Sequence, residues 1–324
     1  MTGEPVSTVG VVGPGRIGRQ IALAFALGGR RVRLVDVKDR APGGAAAVFA
    51  DARREIVRDL RLMAEEGVIE DGEIASVLDR IEDHAGLDGL GACGFVQEAL
   101  PELLDLKREV LGRLSSRVAP DAIVASTSST ISPRHLADAV HRPARFLVAH
   151  WLNPAHIIPL VEVVPGAATA PAVVARSIAL LEALGKVPVR CADSPGFIGP
   201  RMQALLMNEA VRLVEEGVAT PEEIDRAVRS GFGPRYTAMG MCEFIDYGGL
   251  DILYYAARSM ARALDAPRYE PPAIVKRLMD EGKRGAREGE GLYDWRGRDL
   301  AGYQRELVER FVRLYAHLRL LPRP

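Results

Sequence analysis

The amino-acid sequence predicts an α/β domain with a Rossmann-type, mostly parallel sheet, followed by an all-helical domain. Strand-like and helix-like segments alternate up to about residue 192, which is typical of parallel strands joined by helical crossovers. From residue 193 onward, strand patterns disappear and apolar residues recur at helical spacing. We therefore expect two domains, 1–192 and 193–324, in a chain of 324 residues that is long enough for two cores.

The composition excludes several classes of function. The 42 basic and 43 acidic residues give a formal net charge of -1, so no excess charge attracts nucleic acid or a membrane surface. Cys93, Cys191 and Cys242 lie far apart, form no metal-ligand or redox spacing, and suit a reducing compartment. No signal pattern or membrane-spanning run is present. We expect a soluble cytoplasmic protein without a metal, nucleic-acid or membrane partner.

The first predicted strand leads directly into a glycine-rich turn. Residues 6–12 are rich in valine, and Gly13-Pro-Gly15-Arg16-Ile17-Gly18 follows them. Residues 19–27 have helical composition, and the strand-like run 31–36 ends in an acidic residue. A glycine motif between a strand and a helix, with an acid about twenty residues further on, is the dinucleotide fingerprint.

Each glycine of this turn has a separate predicted role. Gly13 permits the tight turn, Gly15 lets a pyrophosphate approach the backbone, and Gly18 lets the helix pack closely on the strand. Asp36 is expected to bind the adenine ribose diol and to repel a 2′-phosphate, which favours NAD over NADP. The predicted cofactor site also includes the intervening residues Arg16 and Ile17.

A pair of helices is predicted at about 45–83, beyond a minimal βαβ unit. Residues 45–63 have apolar residues at helical spacing, and residues 71–81 are predicted to form a shorter return helix. This inserted hairpin is either a surface excursion or a flap over a binding cleft. The hairpin contains four arginines, Arg53, Arg54, Arg58 and Arg61. They either bind phosphates of a ligand or belong to an ordinary solvated helix face.

The rest of the chain continues the two patterns. Predicted strands at 94–98, 122–126 and 187–191 alternate with helices at 102–114 and 171–184, and five helices are predicted at 202–214, 221–228, 249–264, 272–281 and 303–318. The hydroxyl-rich residues 126–130 follow a predicted strand. The carboxyl end of a parallel strand is where such sheets bind ligands, although serines are also common in turns and caps.

The segment from His150 to Glu162 is the predicted catalytic centre. Residues 145–149 and 160–164 have strand composition, so a tight return would place Glu162 beside His150. A carboxylate bonded to one imidazole nitrogen leaves the other nitrogen free as a general base. The alternative is a core histidine that a nearby acid merely satisfies.

Ten short motifs follow one another along the chain. They are Gly13-x-Gly15-x-x-Gly18 with Asp36, Gln97-Glu98-Ala99, Ser126-Thr-Ser-Ser129, His150-x-x-Asn153-Pro154, Leu160-Val-Glu162, Asp193-x-Pro-Gly-Phe197, Asn208-Glu-Ala, Glu215-Glu-Gly, Glu243-Phe-Ile-Asp-Tyr-Gly-Gly-Leu-Asp251 and Gly289-Glu-Gly-Leu-Tyr-Asp-Trp295. With these motifs the sequence resembles the L-3-hydroxyacyl-CoA dehydrogenase family over nearly its whole length.

The resemblance implies roles for individual residues. His150 would take the proton of the substrate hydroxyl, and Glu162 would hold the imidazole in the required tautomer. Ser128 would hydrogen-bond the reacting oxygen, and Asn153 would help to fix substrate or nicotinamide. Cofactor contacts are implied at Glu98, Lys107 and Ser126. The family also implies a homodimer formed by the helical domains, and a helical hairpin that covers CoA.

Two departures leave the substrate open. The family usually has an asparagine where this chain has Pro200, which lacks the side-chain donor. The segment 231–240 resembles instead the branch with lambda-crystallin, carnitine dehydrogenase and a pyridine-carboxylate dehydrogenase. There Arg235 either pairs with a free substrate carboxylate or is a surface or interface arginine.

Three alternative functions are compatible with this sequence. The first is an NAD-dependent dehydrogenase that interconverts a 3-hydroxyl and a 3-keto group on a short L-3-hydroxyacyl-CoA, such as 3-hydroxybutyryl-CoA. The second is a dehydrogenase of a free hydroxy-carboxylate of the gulonate, carnitine or pyridine-carboxylate type. The third is a non-catalytic NAD(H)-binding protein with a structural or sensing role.

Overall fold

The computed structural model describes residues 6–321, and the chain divides into two compact units between Leu206 and Met207. The strands are β1 (Thr8–Val12), β2 (Arg31–Asp36), β3 (Ile81–Ala85), β4 (Phe95–Glu98), β5 (Ile123–Ser126), β6 (Phe146–Trp151), β7 (Leu160–Pro165) and β8 (Val187–Arg190). The helices of the first unit are α1 (Arg16–Leu27), α2 (Gly44–Glu65), α3 (Glu73–Leu78), α4 (Leu104–Ser115) and α5 (Pro171–Glu182). The next helix, α6 (Gly199–Glu215), continues into the second unit.

The eight strands form one sheet in the order β3-β2-β1-β4-β5-β6-β7-β8. Strands β1 to β6 all run parallel to one another, β7 is antiparallel to β6, and β8 is parallel to β7. The strand order reverses direction between β1 and β4, and such a switch point opens a crevice at the carboxyl ends of the strands. This architecture confirms the predicted mostly parallel, Rossmann-type fold.

Both faces of the sheet are covered. Adjacent residues of one strand, such as Val11 and Val12, belong to two separate buried clusters, as expected when side chains alternate between the faces. Helices α1, α2 and α5 contribute to the cluster of Val11, and α4 contributes to the cluster of Val12. Strands buried on both faces explain the near-continuous apolar runs in this part of the sequence.

The predicted helical hairpin is part of the sheet's connectivity. Helices α2 and α3 join β2 to its parallel neighbour β3, and α2 packs on α1. The predicted return helix is wrong at its end, because α3 stops at Leu78 and Ile81 begins a strand. This strand was missed because β3 is an edge strand in which only Ile81 is buried, so its sequence lacks an apolar run.

The second unit is helical, as the sequence predicts. After α6 it contains α7 (Pro221–Ala227), α8 (Gly233–Ala238), α9 (Met241–Gly248), α10 (Leu250–Ala263), α11 (Ala273–Asp280) and α12 (Leu300–His317). The buried carboxylate of Asp246 accepts hydrogen bonds from the backbone of Leu292 and Tyr293 and from the indole of Trp295. Two motifs that are far apart in sequence, 243–251 and 289–295, are thereby joined.

Candidate active site

A cleft of about 560 Å³ opens at the carboxyl ends of β1, β4, β5 and β6. It lies entirely within the first unit, and its lining includes the start of α1 and residues at or just after the ends of the three other strands. The lining residues are Arg16, Ile17, Leu100, Glu102, Thr127, Ser129, His150, Trp151, Leu152, Asn153, Pro200 and Gln203. This position is where parallel α/β sheets bind ligands.

His150 and Glu162 are directly opposite each other in the antiparallel ladder of β6 and β7. The imidazole Nδ1 lies 2.6 Å from Glu162 Oε2, and the two side chains are 6% and 0% exposed. Since a carboxylate only accepts hydrogen bonds, it fixes the neutral tautomer with the proton on Nδ1. The lone pair of Nε2 is therefore directed away from Glu162 and available to a proton donor.

The second oxygen of Glu162 is held by the start of α6. Its Oε1 accepts hydrogen bonds of 2.8 Å from the backbone N–H groups of both Ile198 and Gly199. Burial by itself would raise the pKa of Glu162, but the bonds from His150 and from these two N–H groups outweigh it and lower the pKa. Glu162 thus remains a carboxylate inside the protein and stabilises positive charge on the imidazole.

Ser129 is the hydroxyl next to the free nitrogen of the imidazole. Its Oγ lies 3.0 Å from His150 Nε2. With the proton on Nδ1, the serine hydroxyl donates to Nε2, which is the contact that a substrate hydroxyl needs in order to give up its proton. The sequence indicated a cluster of hydroxyls here but did not select Ser129.

The hydroxyl of Ser128 has a different partner. It donates to Glu102 Oε1 at 2.5 Å and accepts a 2.9 Å bond from the N–H of Ile131. The same Glu102 oxygen accepts bonds from the N–H groups of Ser129 and Thr130 and from the Thr130 hydroxyl. One carboxylate therefore holds the whole loop, and Ser128 is bonded to it rather than to His150.

The pKa of Glu102 reflects this set of donors. Burial raises the pKa, but the bonds from Ser128 and Thr130 and the charge of Lys107 lower it to about 2. Glu102 was assigned no role from the sequence, where it marked only the predicted start of a helix. Its position five residues before Lys107 gives no sign that it turns toward the serine loop.

Glu98, Lys107 and Ser126 form a buried network beneath the cleft. Lys107 Nζ lies 2.8 and 3.1 Å from the two carboxylate oxygens of Glu98 and donates to Leu100 O at 3.1 Å. Ser126 donates to Glu98 Oε2, and all three side chains are 0% exposed. The structure brings these predicted cofactor residues together, with their polar groups satisfied by each other.

The glycine turn fits a dinucleotide. Gly13 has a φ of +110°, and a Cβ there would lie 2.7 Å from Ala99 O. A Cβ on Gly18 would lie 1.8 Å from Gly13 O, whereas a Cβ on Gly15 would meet no atom within 4 Å. The first and third glycines thus allow backbone packing, while the second leaves open space for a ligand. The first N–H groups of α1 receive no side-chain cap, so they suit a pyrophosphate.

The remaining predicted residues lie in different surroundings. Asp36 ends β2 with its side chain 4% exposed and ion-paired with Arg40. Asn153 and Pro200 both line the cleft. Arg235 belongs to the second unit, where its guanidinium lies 5.0 Å from the ring centre of Phe244, and it forms no salt bridge within the described part of the chain.

Neither a metal centre nor a membrane span is found between residues 6 and 321. No three His, Cys, Asp or Glu side chains in that range are grouped as a metal-binding set. None of the described helices combines the length and hydropathy that a bilayer crossing requires.

Comparison with known proteins identifies the family. Residues 8–194 match the model of the 3-hydroxyacyl-CoA dehydrogenase NAD-binding domain, and residues 196–295 match that of its C-terminal domain. The chain belongs to the 3-hydroxyacyl-CoA dehydrogenase family. It is an NAD-dependent oxidoreductase, which agrees with the sequence-based prediction of both the reaction class and the cofactor.

Individual relatives illustrate the range of the family. A 3-hydroxybutyryl-CoA dehydrogenase of Bradyrhizobium diazoefficiens is 33% identical over 90% of this chain and 96% of its own. The 3-hydroxyacyl-CoA dehydrogenase of Archaeoglobus fulgidus has a crystal structure that superposes with a TM-score of 0.77 at 31% identity, covering 97% of this chain and 100% of its own. A 5-formyl-3-hydroxy-2-methylpyridine 4-carboxylate 5-dehydrogenase of Mesorhizobium japonicum is 32% identical over 95% of this chain and 96% of its own.

Proposed function

We propose that the protein interconverts the 3-hydroxyl and 3-keto groups of a short L-3-hydroxyacyl-CoA of the 3-hydroxybutyryl type, as a cytoplasmic enzyme of fatty-acid metabolism. The observation that carries the proposal is the buried His150–Glu162 pair in the lining of the cleft, with the imidazole Nε2 3.0 Å from the hydroxyl of Ser129. This reaction needs a base for the hydroxyl proton, and bound NAD supplies the acceptor for the hydride from the same carbon.

The residues of the cleft divide the chemistry among them. His150 Nε2 takes the hydroxyl proton, and Glu162 stabilises the imidazolium that forms. We propose that Ser129, whose hydroxyl lies 3.0 Å from Nε2, hydrogen-bonds the reacting oxygen. The role implied for Ser128 remains an alternative that requires its hydroxyl to leave Glu102. Asn153, which is exposed in the cleft, is proposed to fix the substrate or the nicotinamide.

A basic groove on α2 favours a CoA ester. The groove has a volume of about 730 Å³ and is lined by Arg54, Arg58 and Arg61 together with one acidic residue, Glu65. Arg54 and Arg58 have carboxylate partners on the same helix, whereas Arg61 forms no salt bridge among the described residues. Guanidinium groups bind phosphates in a bidentate manner, so this face suits the phosphates of CoA.

The second candidate substrate is a free hydroxy-carboxylate. Pro200 lines the cleft where the family resemblance implies an asparagine, so one hydrogen-bond donor is missing there. The name of the Mesorhizobium relative shows that a protein 32% identical to this chain acts on a carboxylated pyridine. Under this alternative, Arg235 would pair with the substrate carboxylate.

The deciding experiment compares NADH formation from L-3-hydroxybutyryl-CoA and from free L-3-hydroxybutyrate. We expect kcat/KM to favour the CoA ester by several hundredfold, because the free acid lacks the nucleotide that the basic groove would bind. Arg61→Ala is expected to raise the KM for the ester, whereas the control Arg113→Ala, at an exposed position of α4, should not. A preference for the free acid, or no turnover of either, would overturn the acyl-CoA assignment. NADH binding without turnover of any hydroxy substrate would favour a non-catalytic NAD(H)-binding protein with a structural or sensing role.

We also propose that the protein is a homodimer formed through its helical unit. On α10, Ile252 and Tyr255 are 62% and 63% exposed, and on α6 Met207 and Val211 are both 67% exposed. Apolar side chains concentrated on two helices are typical of a subunit interface. Sedimentation equilibrium at micromolar concentration should give twice the chain mass of 35.1 kDa, and a single-chain mass would contradict the proposal.

A further inference from the structure

The carboxylate predicted to select NAD is paired with an arginine. At the end of β2, the guanidinium Nε of Arg40 contacts Asp36 Oδ2, and its Nη2 lies 3.5 Å from Oδ1. The backbone N–H of Lys38 lies 3.3 Å from the same Oδ1. The Asp36 side chain is 4% exposed and that of Arg40 is 27% exposed, so the pair sits at the surface with its acidic member covered.

The loop between β2 and α2 makes room for this arginine. A Cβ on Gly44, the first residue of α2, would lie 3.0 Å from the Cβ of Arg40. The glycine therefore permits close packing of the helix start against the arginine. The side chain of Arg40 is placed both by the ion pair and by this contact, in contrast to Lys38, whose side chain forms no salt bridge in the described residues.

The pair changes the electrostatics of the adenine-ribose site. A lone aspartate repels a 2′-phosphate, which carries nearly two negative charges, whereas an aspartate neutralised by a guanidinium repels it much less. The ribose diol of NAD is neutral and requires only the acceptor oxygens of Asp36. The charge of Arg40 therefore affects the binding of NADP far more than the binding of NAD.

We propose that Arg40 sets the cofactor preference as a positioning residue acting on Asp36. It keeps discrimination against NADP smaller than Asp36 alone would impose, and when Asp36 is replaced by asparagine the same guanidinium binds the 2′-phosphate. This inference rests on the assignment of the glycine turn and Asp36 as the NAD site. It is independent of the substrate.

Direct binding of NADH and NADPH tests the proposal without any turnover. Dissociation constants are measured by nucleotide fluorescence at low ionic strength for the wild type, Arg40→Ala, Arg40→Lys and Lys38→Ala. We expect Arg40→Ala to weaken the binding of NADPH by about tenfold, while the affinity for NADH changes by less than about threefold. Only the 2′-phosphate interacts strongly with the charge that is lost. Arg40→Lys should recover most of the NADPH affinity. Lys38→Ala removes a neighbouring charge outside the pair and should leave the ratio near its wild-type value.

A double-mutant cycle gives the sharper test. Asp36→Asn should tighten NADPH by about tenfold or more because it leaves Arg40 unpaired, and Asp36→Asn combined with Arg40→Ala should lose that gain. Equal weakening of both nucleotides in Arg40→Ala would show a purely structural role and overturn the proposal. NADPH affinity as high in the double variant as in Asp36→Asn would also overturn it. Failure of NADH to bind the wild-type protein would instead contradict the cofactor site itself.

Discussion

The His150–Glu162 pair and the serine loop after β5, which both contribute to the cleft, are held in place by different interactions. The His150–Glu162 pair lies on neighbouring strands, and the ladder of β6 and β7 sets the two residues opposite each other. The serine loop after β5 is irregular and depends on one carboxylate, Glu102, which accepts bonds from several of its N–H and hydroxyl groups. Backbone pairing thus fixes the proposed base, while side-chain bonds fix the hydroxyl groups around it. We expect substitutions in the His150–Glu162 pair to affect chemistry, and substitutions in the serine loop to affect stability as well.

The largest effect is expected when the base itself is removed. His150→Gln keeps a polar side chain of similar length but has no basic nitrogen for the hydroxyl proton. We expect kcat to fall by about 100-fold or more, with NADH affinity unchanged, because proton transfer to a positioned base contributes that much. The control is His135→Gln, at an exposed histidine outside the cleft lining. Wild-type turnover in His150→Gln would rule out this histidine as the base.

A smaller loss is expected at the other end of the pair. Glu162→Gln keeps an oxygen for the N–H groups of Ile198 and Gly199 but no longer stabilises the imidazolium. We expect kcat to fall by roughly tenfold to 100-fold with little change in NADH affinity. Steady-state kinetics with the preferred substrate checks this, and Glu182→Gln at the exposed end of α5 is the control. A loss confined to KM would mean that Glu162 acts on binding and not on the histidine.

The same contrast explains how much the sequence predicted. Strand composition on both sides of a short connection predicted that His150 and Glu162 lie side by side, and the ladder of β6 and β7 pairs these two residues. The glycine turn was predictable for a similar reason, since Gly13 and Gly18 answer backbone requirements visible in the structure and Gly15 leaves open space for a ligand. Regular backbone geometry connects sequence spacing to distance in space.

The serine loop could not be resolved in the same way. Ser128 and Ser129 are adjacent and chemically identical, and in an irregular loop no periodicity says which hydroxyl faces His150. The partner that decides it, Glu102, lies 26 residues before Ser128 on another connection. The edge strand β3 was missed because polar residues are tolerated where one side has no neighbouring strand. Long-range side-chain choices and edge positions therefore required the structure.

Paired substitutions of the two serines sharpen the comparison further. Ser129→Ala removes the hydroxyl beside His150 Nε2 and should lower kcat by about tenfold while stability is preserved. Ser128→Ala removes a donor to Glu102 and an acceptor for Ile131, and should lower the thermal midpoint by a few degrees. Kinetics and thermal melts of both variants distinguish the roles. A larger kinetic loss in Ser128→Ala than in Ser129→Ala would favour the role that the family resemblance implies for Ser128.

The smallest predicted effect is a pH-dependent difference in stability at Glu102. Its pKa is lowered from 4.5 to about 2, since the bonds from Ser128 and Thr130 and the charge of Lys107 outweigh the effect of burial. A carboxylate whose pKa falls on folding stabilises the native state above its unfolded pKa, and that contribution is lost as the pH falls toward the folded pKa. Glu102→Gln should therefore unfold at lower urea than the wild type at pH 7, and the difference should shrink below pH 4.5. Glu109→Gln, which loses an exposed ion pair with Arg113, should differ little from the wild type at either pH. A gap for Glu102→Gln that stays constant between pH 7 and pH 3 would mean that shape, and not charge, lets this side chain hold the serine loop.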